Sequence, residues 1–205
     1  MNTFVESTCV VLALGVLTAR RRSHCLVLLS AQSLVLAGVA VSMAFDHSDL
    51  ALASAGLLAR ACTVGMILAI GITRTREAQP VRASIPPMTR LVIAFAALLA
   101  ILLLVPPLGI GSYNAQRAAF ALGVLGILIT LARRATVIQI MGIIVAENGA
   151  ALLALSSSSN VVPEVIEIGV VFDLLLIATV AMAFHQRIFT QFGSGDSTNL
   201  RSLRD

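Results

Sequence analysis

Apolar residues run along the chain in long unbroken blocks, at about 3–19, 25–45, 50–72, 88–107, 116–132, 136–156 and 164–186, with short polar or Pro/Gly-bearing stretches between them. Blocks of roughly 17–25 apolar residues match the length of a helix crossing the hydrocarbon core, and in lipid a helix satisfies its own backbone without help. The strands of a membrane barrel would read as short segments of alternating polarity instead. The pattern therefore predicts an all-α, polytopic integral membrane protein with about seven transmembrane helices in a lipid bilayer. The first block holds Glu6 with no positive charge ahead of it, and Arg20, Arg21 and Arg22 follow it. It is expected to be a retained helix with its N-terminus outside, not a cleaved signal peptide.

The polar connectors test that count through their charge. "ARRRSHC", "TRTREAQPVRASIPPMTR", "LARR" and "HQRIF" are rich in arginine, whereas "FDHSD", "PPLGIGSYNAQR" and "SSSSNVVPE" hold one arginine between them. Seven helices in an N-out/C-in orientation place every arginine-rich connector on the cytoplasmic side, as the positive-inside rule requires. An even number of spans breaks the alternation. The chain then divides into three N-terminal helices (1–72), a cytoplasmic Arg/Pro linker (73–90), four further helices (91–190) and a polar tail (191–205). Helix four has no polar side chain over 91–105, and so is expected to face lipid or a hydrophobic partner.

Composition changes the picture mainly by exclusion. All 14 basic residues are arginine, yet most lie in loops on one side, which fits membrane topology better than nucleic-acid binding. Cys9, Cys25 and Cys62 stand far apart without a CxxC or a Cys/His cluster, so they are expected to pack, and no metal centre or iron–sulfur cluster is expected in this chain. There is no phosphate-binding glycine loop, nucleophile elbow or HExxH, so no catalytic residues are assigned and a self-contained enzyme is not expected.

The candidate chemistry lies in polar residues at mid-helix. A charge at the centre of a transmembrane helix costs roughly 2.5–3.5 kcal/mol even on insertion scales, so each one implies a partner or a function. Glu147 interrupts "TVIQIMGIIVAENGAALLAL", Asp173 stands near the middle of helix seven and Arg60 near the middle of helix three. Gln32 adds an uncharged polar group to helix two, and Asn148 follows Glu147. Helices six and seven are joined by a short loop, so Glu147 and Asp173 are expected to be near each other at similar depth. Burial and mutual repulsion then favour proton uptake, with Arg60 or a partner's cation balancing charge. The bland alternative is an inward-facing ion pair between Arg60 and one of the acids that fixes packing alone. Glu164, after Pro163, suits the first turn of a helix, and Glu167 lies deeper. His24 and His185, beside arginines, are expected at the cytoplasmic boundary. A faint echo links "RRRSHCLVLLSAQSLVLAG" with "ARRATVIQIMGIIVAENGAALLAL", each placing arginines before a helix with polar residues at its centre.

"AENGAALLAL" followed by "VIEIGVVFDLLL" resembles the hydrogenase-4 component E (HyfE-like) membrane subunits, relatives of the K subunit (NuoK) of respiratory complex I. The resemblance rests on Glu147-Asn148-Gly149 and Glu167 to Asp173, over roughly 133–190; the C-terminal three helices, about 116–190, resemble the K subunit. It implies a subunit of a complex I-like, energy-converting hydrogenase of the hydrogenase-4 or formate hydrogenlyase type in a bacterial or archaeal cytoplasmic membrane. Such a chain is non-catalytic itself and contributes buried acids to proton or sodium translocation driven by redox chemistry elsewhere. Its implied partners are antiporter-like and quinone-arm-like membrane subunits and peripheral hydrogenase-like subunits, which hold the nickel–iron centre and iron–sulfur clusters. Glu147 resembles the first of the K subunit's two buried acids, and Asp173, or by residue type Glu167, the second. A purely structural membrane scaffold and a stand-alone small-solute transporter are the alternatives.

Overall fold

The computed structural model describes residues 3–46, 51–75, 85–108, 112–157 and 164–193, apart from the side chains of 46, 53, 74, 75, 164–176 and 192. Among the described residues there are seven helices and no sheet: α1 (Thr3–Thr18), α2 (Arg22–Asp46), α3 (Ala51–Thr75), α4 (Pro87–Leu104), α5 (Tyr113–Ala132), α6 (Thr136–Ser156) and α7 (Glu164–Phe192). Five stretches of the described residues, within α2 to α6, are long and apolar enough to cross a membrane. The chain is an all-α, multi-pass membrane protein.

Local chemistry explains the helix ends. Pro86 and Pro87 start α4, where the missing N–H costs nothing. Arg90 thus falls in the first turn of a helix that begins inside the stretch expected to be linker. Ser112 caps α5 by accepting the Ala115 amide at 3.2 Å. At the far end of α7, Gly193 takes a left-handed φ of 67° and donates its amide to the Phe189 carbonyl, a C-terminal arrangement that suits glycine. Within the apolar helices, hydroxyls bond back to the preceding turn, as Thr63 does to Ala59 and Thr73 to Ala69, so they travel through an apolar environment satisfied.

The helices form two layers of three. α1–α2–α3 pack in series, and α5–α6–α7 do the same; α1 then lies against α5, α2 against α6 and α3 against α7. The stacked helices run parallel. Glu6 at the start of α1 meets Ser112 at the start of α5, while Arg133, just past α5, donates to the Leu17 carbonyl at the end of α1. The two helices of the sequence echo, α2 and α6, are themselves stacked partners. Between α5 and α6 the backbones come together directly: a Cβ on Gly142 would stand 2.6 Å from the Gly126 carbonyl oxygen, and one on Gly149 would stand 2.6 Å from the Ala119 oxygen. The tightly buried Leu122, Leu125, Ile129, Ile138, Met141 and Val145 fill the core around that contact.

α4 lies outside the layers, packed mainly against α5 and, more lightly, α1. Arg90 and Ala94 are its buried residues, and Val92, Phe95, Leu99, Leu102 and Leu103 are exposed, in keeping with a helix that faces lipid or a hydrophobic partner. Arg90 donates to the Leu17 carbonyl at 2.8 Å, and Arg133 donates to Leu17 at 2.9 Å and also to Ala19. Two buried guanidiniums thus cap the electronegative end of α1 and tie it to α4 and to the α5–α6 connector. Burial and the neighbouring Arg90 draw the Arg133 guanidinium down to about 10, so it remains charged at neutral pH. Arg133→Ala is expected to cost about 2–3 kcal/mol, the worth of charged hydrogen bonds to buried carbonyls. The buried Cys9 and Cys25 thiols supply the readout: heating in detergent with a maleimide dye should expose them roughly 4–12 °C earlier than in the wild type. An unchanged melting curve would show that the cap contributes nothing.

Candidate functional site

The seam between the two layers carries a line of polar groups at mid-helix. They come from four helices: Cys9 from α1, Gln32 and Ser33 from α2, Arg60 from α3, and Glu147 and Asn148 from α6. Gln32 Nε2 donates to the Cys9 carbonyl at 2.9 Å, a carbonyl inside the first layer. The Oε1 of the same amide accepts from Asn148 Nδ2 at 3.0 Å, joining the layers, and Asn148 Nδ2 also reaches Ser33 Oγ at 3.1 Å. Asn148 Oδ1 accepts from Arg60 Nη2 at 3.2 Å. The line ends on an ion pair, Arg60 Nη2 to Glu147 Oε2 at 3.2 Å.

Helix geometry makes this arrangement possible. Glu147 and Asn148 are neighbours about 100° apart around α6, so one side chain faces Arg60 while the other faces Gln32, and Arg60 bridges both. Gln32 and Asn148 are 0% and 2% exposed and Arg60 is 4% exposed, whereas Glu147 is 25% exposed. The pair is most deeply buried on its cationic side, and the Glu147 oxygen that faces Arg60 is itself buried. In a low-dielectric surround an arginine so placed needs every partner it has. Among the described residues its guanidinium has two, a carboxylate and an amide oxygen.

Of the residues singled out from sequence, Arg60, Glu147, Asn148 and Gln32 come together in one hydrogen-bonded set. Asp173 and Glu167 stand on α7, and their side chains lie outside the described residues. Backbone register still gives their depth. Met182 on α7 fills the notch at Gly71 on α3. At 1.5 Å per residue, Arg60 is roughly 16 Å from that contact along α3, Asp173 roughly 13 Å and Glu167 roughly 22 Å along the parallel α7. Asp173 is thus on the level of Arg60, and Glu167 about one helical turn beyond it. His185, expected at a boundary, is fully buried, and neither ring nitrogen has a hydrogen-bond partner among the described residues.

Several participants were not visible as such in the sequence. Ser33 looked like any small helical residue beside Gln32. Glu6 counted only as a flanking charge, yet it is 4% exposed and accepts from Ser112 Oγ at 3.4 Å, at the positive end of α5. Arg90 and Arg133 counted as solvated loop charges and are buried caps; the Pro-Pro pair three residues before Arg90 was the available signal that it stands in a first helical turn. Cys62 is exposed, while Cys9 and Cys25 are buried as expected of packing residues.

Comparison with protein-family models, with curated proteins and with solved structures gives no match.

Proposed function

We propose that this chain is a membrane-arm subunit of a complex I-like, energy-converting complex of the hydrogenase-4 or formate hydrogenlyase type. In this role it spans a bacterial or archaeal cytoplasmic membrane seven times, N-out and C-in. The chain carries no redox centre of its own and contributes Glu147, with Arg60, Asn148 and Gln32, to ion translocation powered by nickel–iron and iron–sulfur chemistry in partner subunits. Antiporter-like and quinone-arm-like subunits are the partners such a membrane arm requires. The motif around Glu147 and Asp173 supports the family reading, and depth along α7 supports Asp173 over Glu167 as the second acid.

The observation that carries the proposal is the ion pair's continuation through Asn148 and Gln32 into α1. A proton taken up by Glu147 removes the charge that holds Arg60, and Arg60 also holds Asn148. A change of charge on α6 is thereby felt on α3, α2 and α1 without any large backbone motion, as coupling through a contiguous polar network requires. In the assembled complex, Glu147→Gln is expected to abolish coupled ion translocation while the subunit still assembles. Translocation at the wild-type rate per assembled complex would sink the proposal.

One observation favours a scaffold role: the Gln32 and Asn148 amides are each engaged through both their oxygen and their nitrogen, as in a network that only fixes helix register. In that case the same substitution lowers the amount of assembled complex and leaves translocation per complex unchanged.

A further inference from the structure

We infer that the end of the bundle where α1 finishes is a binding site for an anionic phospholipid, whose phosphate is held by Arg90, Arg133 and Arg20. The inference stands apart from the proposed role in ion translocation and needs only that the chain spans a membrane. Three elements meet at this end: the last turn of α1, the first turn of α4 with Arg90, and the α5–α6 connector with Arg133. α2 also begins here, two residues past Arg20.

The two buried guanidiniums bring more positive charge than the helix end beside them balances. Arg90 Nη1 at 2.8 Å and Arg133 Nη2 at 2.9 Å converge on the one Leu17 carbonyl oxygen, and Arg133 Nη2 also donates to Ala19. Two full charges thus rest on a helix terminus whose dipole amounts to roughly half a charge. Cys25 adds a further donor, its Sγ lying 3.7 Å from the Val16 oxygen and 3.9 Å from the Ala19 oxygen. In each guanidinium Nε is buried without a partner and one terminal nitrogen is spent on α1. The other terminal nitrogen, Nη2 of Arg90 and Nη1 of Arg133, is left at the surface of residues that are only 3% and 2% exposed overall. Arg20, which is exposed, follows directly on the Ala19 carbonyl, and its charge is near enough to bear on Arg90.

No described side chain offsets this charge. The two carboxylates whose side chains are described, Glu6 and Glu147, are engaged at the other end of α1 and at mid-helix on α6. α2 and α4 both begin at this end with no acid in the first turn, so their positive poles add to the field. A guanidinium edge turned outward matches phosphate oxygens, and basic pockets between transmembrane helices at the bilayer surface take anionic headgroups. The rest of the surroundings suit a lipid in particular. From Leu91 to Leu104 α4 carries no polar side chain, so acyl chains descending from a headgroup at Arg90 run beside an apolar helix. A soluble phosphate gains nothing from that wall.

The test is thermal unfolding of the full chain, washed free of lipid in a neutral detergent and followed by maleimide labelling of Cys9 and Cys25. Dioleoylphosphatidylglycerol, dioleoylphosphatidylcholine or inorganic phosphate is added. Phosphatidylglycerol should raise the melting temperature by roughly 3–5 °C for each tenfold increase above its dissociation constant, and the other two should not. Arg20→Gln is the variant of choice, because Arg20 is exposed whereas Arg90 and Arg133 also cap α1. It should need about fivefold more phosphatidylglycerol for the same rise. Arg187→Gln, an equal loss of charge near the end of α7, should leave the titration where it was. An equal displacement in both variants would overturn the inference, since the lipid would then read the charge of the whole face. Equal stabilisation by phosphatidylcholine removes the recognition of charge, and equal stabilisation by inorganic phosphate removes the lipid. No stabilisation by any of the three overturns the inference too, and points to Glu77, Asp196 or Asp205, which lie outside the described residues, as the anion the arginines hold instead.

Discussion

Replacing Arg60 with methionine is expected to be among the most damaging single changes in the chain. Methionine keeps the length and bulk of the side chain, so the effect reports charge rather than a cavity. It removes the guanidinium that faces the Glu147 carboxylate and that donates to Asn148 Oδ1. Breaking one half of a buried pair costs about 3–5 kcal/mol, because the other half stays charged without compensation. At roughly 2–4 °C per kcal/mol for a chain of this size, the melting temperature should fall by about 6–20 °C. The double variant Arg60→Met/Glu147→Gln removes both charges and should recover much of that loss, which a double-mutant cycle measures as a coupling energy. If the single and double variants melt together, the ion pair is not what holds α3 to α6. The cycle also bears on function, since a relay predicts that the recovered double variant is stable and still unable to translocate.

The α5–α6 contact should give the second large effect, and it comes with an internal control. Gly142→Val puts a branched side chain where a single added carbon would already lie 2.6 Å from the Gly126 carbonyl oxygen. Backbone does not yield as a flexible side chain does, so the two helices must separate. Overpacking of this kind costs about 1–3 kcal/mol or more, and stability and yield should drop accordingly. Gly123→Ala on the same pair of helices meets nothing within 4 Å and should stabilise by up to about 1 kcal/mol through helix propensity. Thermal melts of the two variants should therefore move in opposite directions. A similar shift in both would show that the α5–α6 contact is looser than the backbone distances require. Because Asn148 lies further along α6 than Gly142, separation at the glycine should also weaken the Gln32–Asn148 bond.

Much of the architecture was legible because apolar block length is a direct consequence of bilayer thickness, and the seven blocks became seven helices. The polar seam was legible only in its members. Arg60, Glu147, Asn148 and Gln32 each stood out as mid-helix polar residues, yet the pairing of Gln32 with Asn148 depends on α2 lying over α6. That stacking is a long-range property that no local pattern encodes. Arg90 and Arg133 were misplaced for a related reason: an arginine at the end of an apolar block looks the same whether its guanidinium meets water or an uncapped helix terminus. The neighbour expected for Glu147, Asp173, shares the depth of Arg60 along the backbone, which is as far as the described residues carry that expectation.

The parallel stacking has a bearing on α4. A run of three antiparallel helices ends at the opposite end of the bundle from the one where it began, so a second run joined directly to the first would lie upside down relative to it. One extra helix restores parity. α4 supplies it: its first turn meets the end of α1 through Arg90, and its last turn meets the start of α5, where Tyr113 and Arg117 hold the Val105 and Leu102 carbonyls. That explains how a helix can contribute so little to the interior and still be indispensable. Its contribution is directional: by carrying the chain back to its starting face, it lets Gln32 and Asn148 approach along helices pointing the same way.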